Sequence, residues 1–584
     1  MPLPDWISND PQYSTGAELA DINKDGWLDL IVSDGNDMQP GKVKVYYNDG
    51  NGNLPKTADW QSSDTCYNGH LDVADVNGDG WLDVAVSYLG TGYTFGPVAR
   101  VYLNNNGVLS SLPDWNASLI GNAFGLDFGD VNNDGRPDLA VATGWGYEPQ
   151  HYYHNLVYMN VGGTLESTPS WQSFDTNTYM GAYWVDADSD GWLDLAFIGI
   201  DVETQIYHNL GGMLETTASW HTTDSMNQFG IMLTSGDVDL DGKDDLFATD
   251  NTQLGGSGLF KQYRGLSQGF YESTYSWSYY EGYGSAVALA DVNYDNNLDL
   301  ATGGWWDYTR IFLNDGVGLP TTSSWNSGGT SVVEKIVFGN VGPTFDEHTF
   351  NEVFTPDTDC RLFYLSHKNI QKINSVKVDN IFLDFSEYTY SREHAWVTIN
   401  TIPSSYVEIS YNFSKSLDMV VSNWDPGIGN YLYYNKINVT LIPDLESEGT
   451  LSWSNIKPGA KLKDSFKILN IGDSLSGLNW QIVSFPDWGT WYFEPDSGNG
   501  LTPEDGAVTV YVNLIAPDKP GTLFNGSVII VNMNNSSDFE IVPVTLTTPV
   551  NYKKIILQNN QNLLLFLQQI QKLIKDKKYI IKYT

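Results

Sequence analysis

The sequence has few basic residues and few cysteines. Its 30 Lys and Arg stand against 71 Asp and Glu, which gives a formal net charge of −41 over 584 residues. An acidic surface releases no counterions from a nucleic acid, so nucleic-acid binding is disfavoured. The two cysteines, Cys66 and Cys360, are too few for a disulfide framework or a zinc cluster. No stretch approaches the ~18 consecutive apolar residues that a membrane-spanning helix needs.

The sequence is rich in aromatic residues and glycine, with 20 Trp, 35 Tyr and 56 Gly. Strands favour aromatic side chains and tight turns favour glycine, so the composition predicts an all-β protein. The chain is too long for one hydrophobic core, and about two to four domains are expected.

A nine-residue acidic segment recurs six times. Its copies begin at intervals of 51 to 56 residues and share the pattern Asp-x-Asp/Asn-x-Asp-Gly-x-x-Asp, with Asn296 replacing the glycine in the sixth. The copies are residues 21–29, 75–83, 130–138, 186–194, 237–245 and 291–299. Repetition at this period is typical of solenoids and propellers.

A tryptophan precedes each segment by 14 to 17 residues. The in-phase tryptophans are Trp6, Trp60, Trp115, Trp171, Trp220, Trp277 and Trp325. Trp325 therefore predicts a seventh unit near residue 340, where Phe338-Gly-Asn340 is found. Its continuation at Asp418 arrives only after some 75 extra residues, so the seventh unit is interrupted.

Each unit contains four short apolar stretches that are typical of strands. Four strands per ~50 residues is the signature of a propeller blade, and radial closure protects the sheet edges. The sequence therefore predicts a seven-bladed β-propeller over residues 1–440, in which the amino-terminal strand completes the last blade. The seven tryptophans are expected to pack between blades.

The acidic segments have the oxygen spacing of a calcium loop. Side chains at positions 1, 3, 5 and 9 and the carbonyl of position 7 supply the six to eight oxygens that Ca²⁺ prefers. The glycine provides the left-handed turn that lets them converge. We expect about six calcium ions that stabilise the fold, weaker binding at the sixth loop, and no ion at the seventh.

The predicted calcium ligands are Asp21, Asn23, Asp25, Trp27, Asp29, Asp75, Asn77, Asp79, Trp81, Asp83, Asp130, Asn132, Asp134, Arg136, Asp138, Asp186, Asp188, Asp190, Trp192, Asp194, Asp237, Asp239, Asp241, Lys243, Asp245, Asp291, Asn293, Asp295, Asn297 and Asp299.

The repeat resembles the FG-GAP/VCBS family, whose members include the integrin α-subunit propellers. The resemblance covers roughly residues 1–436 without the interruption, and it implies that the Asp and Asn positions named above bind calcium. The sequence departs from the family pattern at Asn296, at the broken seventh loop, and in the lack of a clear Phe-Gly pair in several units.

Three further segments are distinguishable. Residues 343–415 interrupt blade seven and have the alternation of a small β-module, either a second recognition surface or decoration, which we expect to project from the calcium face. Residues 441–549 predict an immunoglobulin-like sandwich, and Leu478-Asn-Trp480 and Pro486-Asp-Trp488 resemble the BACON type, which accompanies carbohydrate-active proteins. Residues 550–584 predict either a basic amphipathic helix that contacts an anionic membrane or a partner, or a disordered tail.

The amino terminus bears on localisation. Residues 1–6 do not have the pattern of a secretory signal. Either the chain is not exported or its natural start lies upstream of Met1. The opening in the middle of a repeat favours the second alternative, and we expect an extracellular or cell-surface protein.

Aromatic residues follow the second strand of several blades, on the face opposite the acidic loops. Loop aromatics on a rigid scaffold offer flat surfaces to sugars or protein partners, although the same rings could fill the channel mouth or pack between blades. The candidate ligand-binding residues are Tyr88, Trp145, Tyr147, Trp305, Trp306, Tyr308 and Trp424.

No nucleophile elbow, phosphate-binding loop or dinucleotide motif is present. We expect a calcium-binding adhesion or recognition protein with a glycan or protein ligand, and not an enzyme. One alternative is a carbohydrate-active enzyme similar to a polysaccharide lyase, which would need a base such as Arg100, Arg136, Arg264 or Arg310. The other alternative is a structural surface-layer component.

Overall fold

The structure is a computed structural model that describes residues 3–10, 13–144, 151–224, 229–267, 269–343, 347–356, 359–436, 442–472, 476–550 and 552–580. The chain divides into two compact units, residues 1–438 and 439–584. Strands dominate both units, so the predicted all-β class is confirmed.

The first unit is a β-propeller whose described residues form seven four-stranded blades. Blades six and seven also pair with each other through Trp305 and Val332. Blade one contains the strands Ser14–Ala20, Asp29–Gly35, Pro40–Tyr46 and Trp60–Gln61, and blade two contains Asn68–Ala74, Asp83–Tyr88, Ala99–Tyr102 and Trp115–Asn116. Blade three contains Ala123–Gly129, Asp138–Thr143, Leu156–Tyr158 and Trp171–Gln172, and blade four contains Thr178–Val185, Asp194–Ile200, Gln205–Tyr207 and Trp220–His221. A two-stranded sheet pairs Gly96–Pro97 with Ile120–Gly121.

The strands of blades five to seven follow the same order. Blade five contains Leu233–Gly236, Asp245–Ala248, Leu259–Tyr263 and Trp277–Tyr280, and blade six contains Gly284–Ala290, Asp299–Asp307, Arg310–Phe312 and Trp325–Asn326. Blade seven contains Ser331–Gly339, Asp418–Asn423, Tyr431–Tyr433 and Trp6–Ile7. Trp6 pairs with Leu432, so the amino-terminal strand completes blade seven as predicted. The first strand of each blade lies beside the first strands of both neighbouring blades, which closes the ring.

The in-phase tryptophans pack between blades. Trp60 of blade one meets Tyr102 of blade two edge to face, with ring centroids 6.4 Å apart. The same pairing joins Trp6 to Tyr46, Trp115 to Tyr158, Trp171 to Tyr207, Trp220 to Tyr263, Trp277 to Phe312 and Trp325 to Tyr433. Edge-to-face aromatic pairs add to the burial of apolar area, and their period explains why the sequence repeats a tryptophan.

The segment that interrupts blade seven forms two small sheets. One contains His348–Phe354, Val407–Phe413, Lys372–Val378 and Ile381–Phe382, and the other contains Leu362–Tyr364, Trp396–Ile399 and Tyr388–Tyr390; a 3-10 turn spans Phe385–Glu387. This segment, residues 343–415, is called the insertion below, and it is the small β-module that the sequence predicts.

The second unit contains a sandwich of two sheets. One sheet orders Leu445–Glu448, Lys461–Asn470, Val508–Ile515 and Thr490–Glu494; the other orders Leu451–Trp453, Asn535–Thr547, Leu523–Asn532, Leu478–Ser484 and Ser497–Leu501, with a 3-10 turn at Pro503–Asp505. Buried residues of the two sheets, among them Phe466 and Trp480, share one apolar core. Alternating burial along each strand produces this core, because successive side chains point to opposite faces.

The second unit also contains the helix Tyr552–Ile580. Its apolar residues Leu563 to Leu567 are exposed. Among the described residues, no helix combines the length and the apolar content that a bilayer crossing requires.

Candidate metal centres

The six acidic segments form the turns between the first and second strands of blades one to six. In blade two, Ala74 ends the first strand and Asp83 begins the second. The first strands of all blades run in the same direction around the ring, so the six turns lie on one face. This face is called the loop face below.

The six turns share one set of hydrogen bonds. In blade two, the amides of Asp79 and Gly80 donate to the two oxygens of Asp75 at 3.1 and 2.6 Å, and the amide of Trp81 donates to Asp79 at 2.9 Å. The equivalent three bonds recur in the other five turns. They hold positions 1 and 5 on the inner side of the turn.

The sixth turn closes like the others although it lacks the glycine. Asn296 occupies position 6 with a φ of 65°, in the same left-handed region as Gly26, whose φ is 95°. Asparagine tolerates this conformation better than other residues with a side chain. The amide of Asn296 still donates to Asp291 at 2.9 Å, so the weaker binding expected at this turn stays a prediction.

The side chains fit an oxygen-coordinated cation. In blade four, Asp186, Asp188 and Asp194 offer carboxylate oxygens within 4.8 Å of one another, and Asp237, Asp239 and Asp241 do the same in blade five. Position 3 also supplies buried oxygens without a hydrogen bond among the described residues: Oδ1 of Asp188, Asp239 and Asn293. Burying such atoms without a partner is costly, and hard oxygen donors are what calcium takes.

The pKa values of aspartates in the turns are raised, as expected for crowded and partly buried carboxyl groups. Burial raises the pKa of Asp75 to about 6 and that of Asp186 to about 7, and neighbouring carboxylates raise both further. A divalent cation would oppose both effects, because it favours the charged form.

The turn in blade four has an additional group that the sequence pattern does not include. His208 lies on the neighbouring loop, and its Nε2 atom is 3.2 Å from Asp188 Oδ2 and 3.8 Å from Asp190 Oδ2. The corresponding position is Leu103 in blade two and Leu313 in blade six, so comparing the repeats would have singled out His208.

Position 9 has a structural role in each turn. In blade two, Asp83 is fully buried, and it accepts hydrogen bonds from the amides of Val76 at 3.0 Å and Asn104 at 2.7 Å. Burial raises the pKa of Asp83 to about 8. These bonds join the turn to the third strand of the same blade.

The asparagine held by position 9 also reaches the preceding blade. Asn104 Nδ2 donates to the carbonyl of Ile22, in the acidic turn of blade one, at 2.9 Å. We call this contact a clasp; the same bond is made by Asn48, Asn160, Asn209, Asn314 and Asn435. In blade five the equivalent residue is Gly265, which has no side chain to form a clasp. A Cβ atom added at this position would lie 2.5 Å from the carbonyl oxygen of Asp244, so a larger residue would clash there. Sequence reasoning missed the clasps, although the asparagine repeats in phase.

The insertion lies across the loop face. Thr398 donates to Asp130 Oδ2 at 2.7 Å, and the amide of Asp186 donates to Tyr364 at 3.2 Å. Arg361 donates to the carbonyl of Asn133 at 2.5 Å. The insertion is on the expected face, but it folds back onto the ring instead of projecting from it, because its polar side chains find partners in the acidic turns.

The candidate ligand-binding aromatics differ in exposure. Tyr88 and Trp305 are only 9% and 6% exposed, so the expectation that they present open faces is wrong. Trp305 stacks on the half-buried Trp424 with centroids 5.7 Å apart and donates to Glu334 at 2.8 Å. Trp305 and Trp424 belong to one apolar cluster with Phe124 and Ile231, so these two rings pack together instead of facing solvent.

The remaining candidates are distributed as follows. Trp306 is 51% exposed, and Tyr308 is half-buried. Trp145 and Tyr147 lie outside the described residues.

The solved structures that resemble this chain share little sequence with it. No curated protein matches the chain. Among solved structures, BBS1N in complex with ARL6DN, soaked with mercury, is 11% identical, with 70% of this chain and 96% of that chain covered and a TM-score of 0.37. Sqt1 of Saccharomyces cerevisiae is 8% identical, with 74% of this chain and 100% of that chain covered and a TM-score of 0.39.

The family comparison concerns the first blades. The FG-GAP-like repeat matches residues 21–86 and 90–141, which contain the acidic turns of blades one to three. The chain therefore contains FG-GAP-like repeats within a β-propeller.

Proposed function

We propose that this chain is an extracellular calcium-binding recognition protein whose propeller presents a glycan or protein ligand site on the face opposite the acidic turns. FG-GAP-like repeats favour a propeller with a ligand-binding role. The observation that carries the calcium proposal is the identical closure of six turns around inward carboxylates. Positions 3 and 5 contribute oxygens in every turn, and hydrogen bonds from the backbone already hold position 1 in place. Binding of an ion therefore requires little further ordering of the turn.

The proposed ligand face carries exposed aromatic rings. Trp306 packs edge to face on Tyr283, with centroids 5.9 Å apart, and the two rings are 51% and 39% exposed. Tyr93 and Phe95 of blade two are 77% and 45% exposed, and Phe95 contacts His151 of blade three. Tyr93, Phe95 and Tyr283 lie in connections and Trp306 lies near the end of a strand, all away from the acidic turns, where flat apolar faces suit sugar rings or protein partners.

Two of the four arginines considered as lyase-like bases are held in ion pairs, which favours a binding role. Arg100 pairs with Asp64 at 2.8 Å, and Arg310 pairs with both Glu281 and Asp307 at 2.8 and 2.9 Å. Guanidinium groups held by carboxylates in this way stay charged and serve as structural cations.

Calcium removal and a glycan array test the two parts of the proposal. Thermal unfolding in millimolar calcium and in chelator should differ, because saturation of a site at 100 times its Kd adds about 2.7 kcal/mol. An unchanged melting temperature overturns the calcium part. Binding to glycans or protein ligands should weaken in Trp306→Ala and not in Phe382→Ala, an exposed aromatic of the insertion; equal loss in both variants overturns the ligand face.

A further inference from the structure

A cavity of about 340 Å³ lies on the propeller axis, between the first strands of the blades. The apolar cluster that contains Phe124 and Ile231 closes one end of it, and residues 392–394 of the insertion cover the other. Between the insertion and blades one and two it reaches Lys24 and Phe385, both of which are exposed. We call it the axial cavity.

Acids from three successive blades line the axial cavity. Glu18, Asp72 and Asp127 occupy the same position, three residues before the first aspartate of their acidic turns. Asp72 Oδ2 accepts from the amide of Phe128 and Asp127 Oδ2 from that of Trp184, both at 2.7 Å, so the neighbouring blade orients each carboxyl group. The repeat thus places acceptors around one side of the cavity.

Basic groups face these acids. Lys335 of blade seven lies 3.2 Å from Glu393 and 3.5 Å from Glu18. Arg392 is fixed by donation from Nη1 to the carbonyl of Phe338 at 2.9 Å. The wall therefore contains both donors and acceptors in fixed positions.

Two atoms in the wall are buried without a hydrogen-bond partner among the described residues. They are Nη2 of Arg392 and Nε2 of His70, whose side chains are 8% and 9% exposed. An unpartnered buried donor costs about 1–3 kcal/mol of desolvation. A ligand that offers an acceptor to Arg392 would remove this cost.

The buried titratable groups of the wall shift one another's pKa values. Burial raises the pKa of Glu18 to about 8 and that of Asp127 well above its usual range. Burial raises the pKa of Glu393, but Lys335, His394 and Arg392 together outweigh burial and lower it. Because Lys335 already pairs with Glu393 and Glu18, a charged ligand would have to compete with these ion pairs or remain an uncompensated buried charge.

We propose that the axial cavity binds a neutral polyhydroxyl compound of monosaccharide size. Each hydroxyl group both donates and accepts, which matches a wall that presents Glu18, Asp72 and Asp127 opposite Lys335 and Arg392. The volume is at the lower end of small-molecule sites, which span about 300–1,000 Å³. The site is separate from the exposed aromatic face, but its outer wall includes Asp21 and Asp75, two of the proposed calcium ligands, so it is tested with calcium present.

Calorimetric titration of the full chain in calcium tests the proposal. The probes are D-glucose, D-galactose, D-mannose, L-fucose and myo-inositol, with putrescine and acetate as charged probes. At least one neutral probe should bind with a stoichiometry of one, and Glu18→Ala should weaken it about tenfold or more, because the variant loses both the donor and the acceptor of the carboxyl group. Glu334→Ala, at a buried glutamate outside the wall, should leave the affinity unchanged.

Three results would overturn the proposal: no neutral probe binds to folded protein, only a charged probe binds, or the two glutamate variants lose affinity equally. If Glu18→Ala does not fold, His70→Ala replaces it, with the same expected loss. Trp306→Ala should retain the titrated binding, so failure of the axial cavity is distinguishable from failure of the ligand face.

Discussion

Blade two keeps its acidic hairpin whole, whereas blade seven carries the insertion between the two halves of the same hairpin. Both keep the ninth-position acid. Asp83 accepts from the amides of Val76 and Asn104, and Asp418 accepts from those of Val341 at 2.9 Å and Asn435 at 2.8 Å. The clasp from Asn435 to blade six is also intact.

The two hairpins differ at the positions proposed to bind calcium. In blade two, Asp75, Asn77 and Asp79 crowd the turn, whereas Asn340 is followed by Val341 and Gly342 and then by the insertion. The amide of Gly342 instead donates to Asp418 at 2.7 Å. The comparison separates two roles within one motif: position 9 anchors the backbone, and positions 1, 3 and 5 are those proposed to supply further oxygens to a cation.

The largest effect is expected from removing the anchor. Asp83→Ala and Asp418→Ala each leave two or more buried amides without an acceptor, which should lower the free energy of unfolding in chelator by about 3 kcal/mol. Urea unfolding monitored by tryptophan fluorescence measures this. Only Asp83→Ala should also reduce the number of bound calcium ions, measured by elemental analysis after dialysis.

The matched control for this pair is Asp315→Ala, an exposed acid whose carboxylate accepts one amide in a surface turn. It should change stability by less than about 0.5 kcal/mol. If Asp418→Ala proves equally mild, position 9 has no anchoring role independent of metal.

A smaller effect is expected from opening one clasp. Asn104→Ala removes the bonds from its amide group to Ile22 and Leu82, which should cost about 1–2 kcal/mol. Hydrogen exchange should quicken at the facing turns of blades one and two, while the exposed neighbour Asn105→Ala leaves exchange unchanged. If Asn104→Ala increased the hydrogen-exchange rate equally in all blades, the clasp would not be a local contact.

The smallest effect concerns the contact between the insertion and blade three. Thr398→Val removes the hydroxyl that donates to Asp130 and keeps the side-chain shape. A single hydrogen bond of this kind is worth about 1 kcal/mol, and proteolysis of the insertion should accelerate several-fold. Thr401→Val, at an exposed position of the same segment, is the control; equal rates in the two variants would show that the insertion is held without this bond.

Much of the propeller could be predicted from sequence because its signals are local and repeated. The acidic segment specifies its own hairpin, as the bonds from residues 79–81 to Asp75 and Asp79 show. The in-phase tryptophan marks the fourth strand because each blade must present an aromatic ring to the next. Exposure of single aromatics was less predictable, since Trp305 and Trp306 are neighbours in sequence with opposite environments.

The sequence by itself determined the blade, its acidic turn and the number of repeats, because these depend on spacings within about ten residues or on a regular period. Only the tertiary structure decided that the insertion folds back on the loop face and that the axial cavity is polar. Thr398 and Asp130 are 268 residues apart, and Glu18, Lys335 and Arg392 come from three distant segments. Such contacts follow from closure of the ring, where every blade places its first strand beside the axis, and no local spacing encodes them.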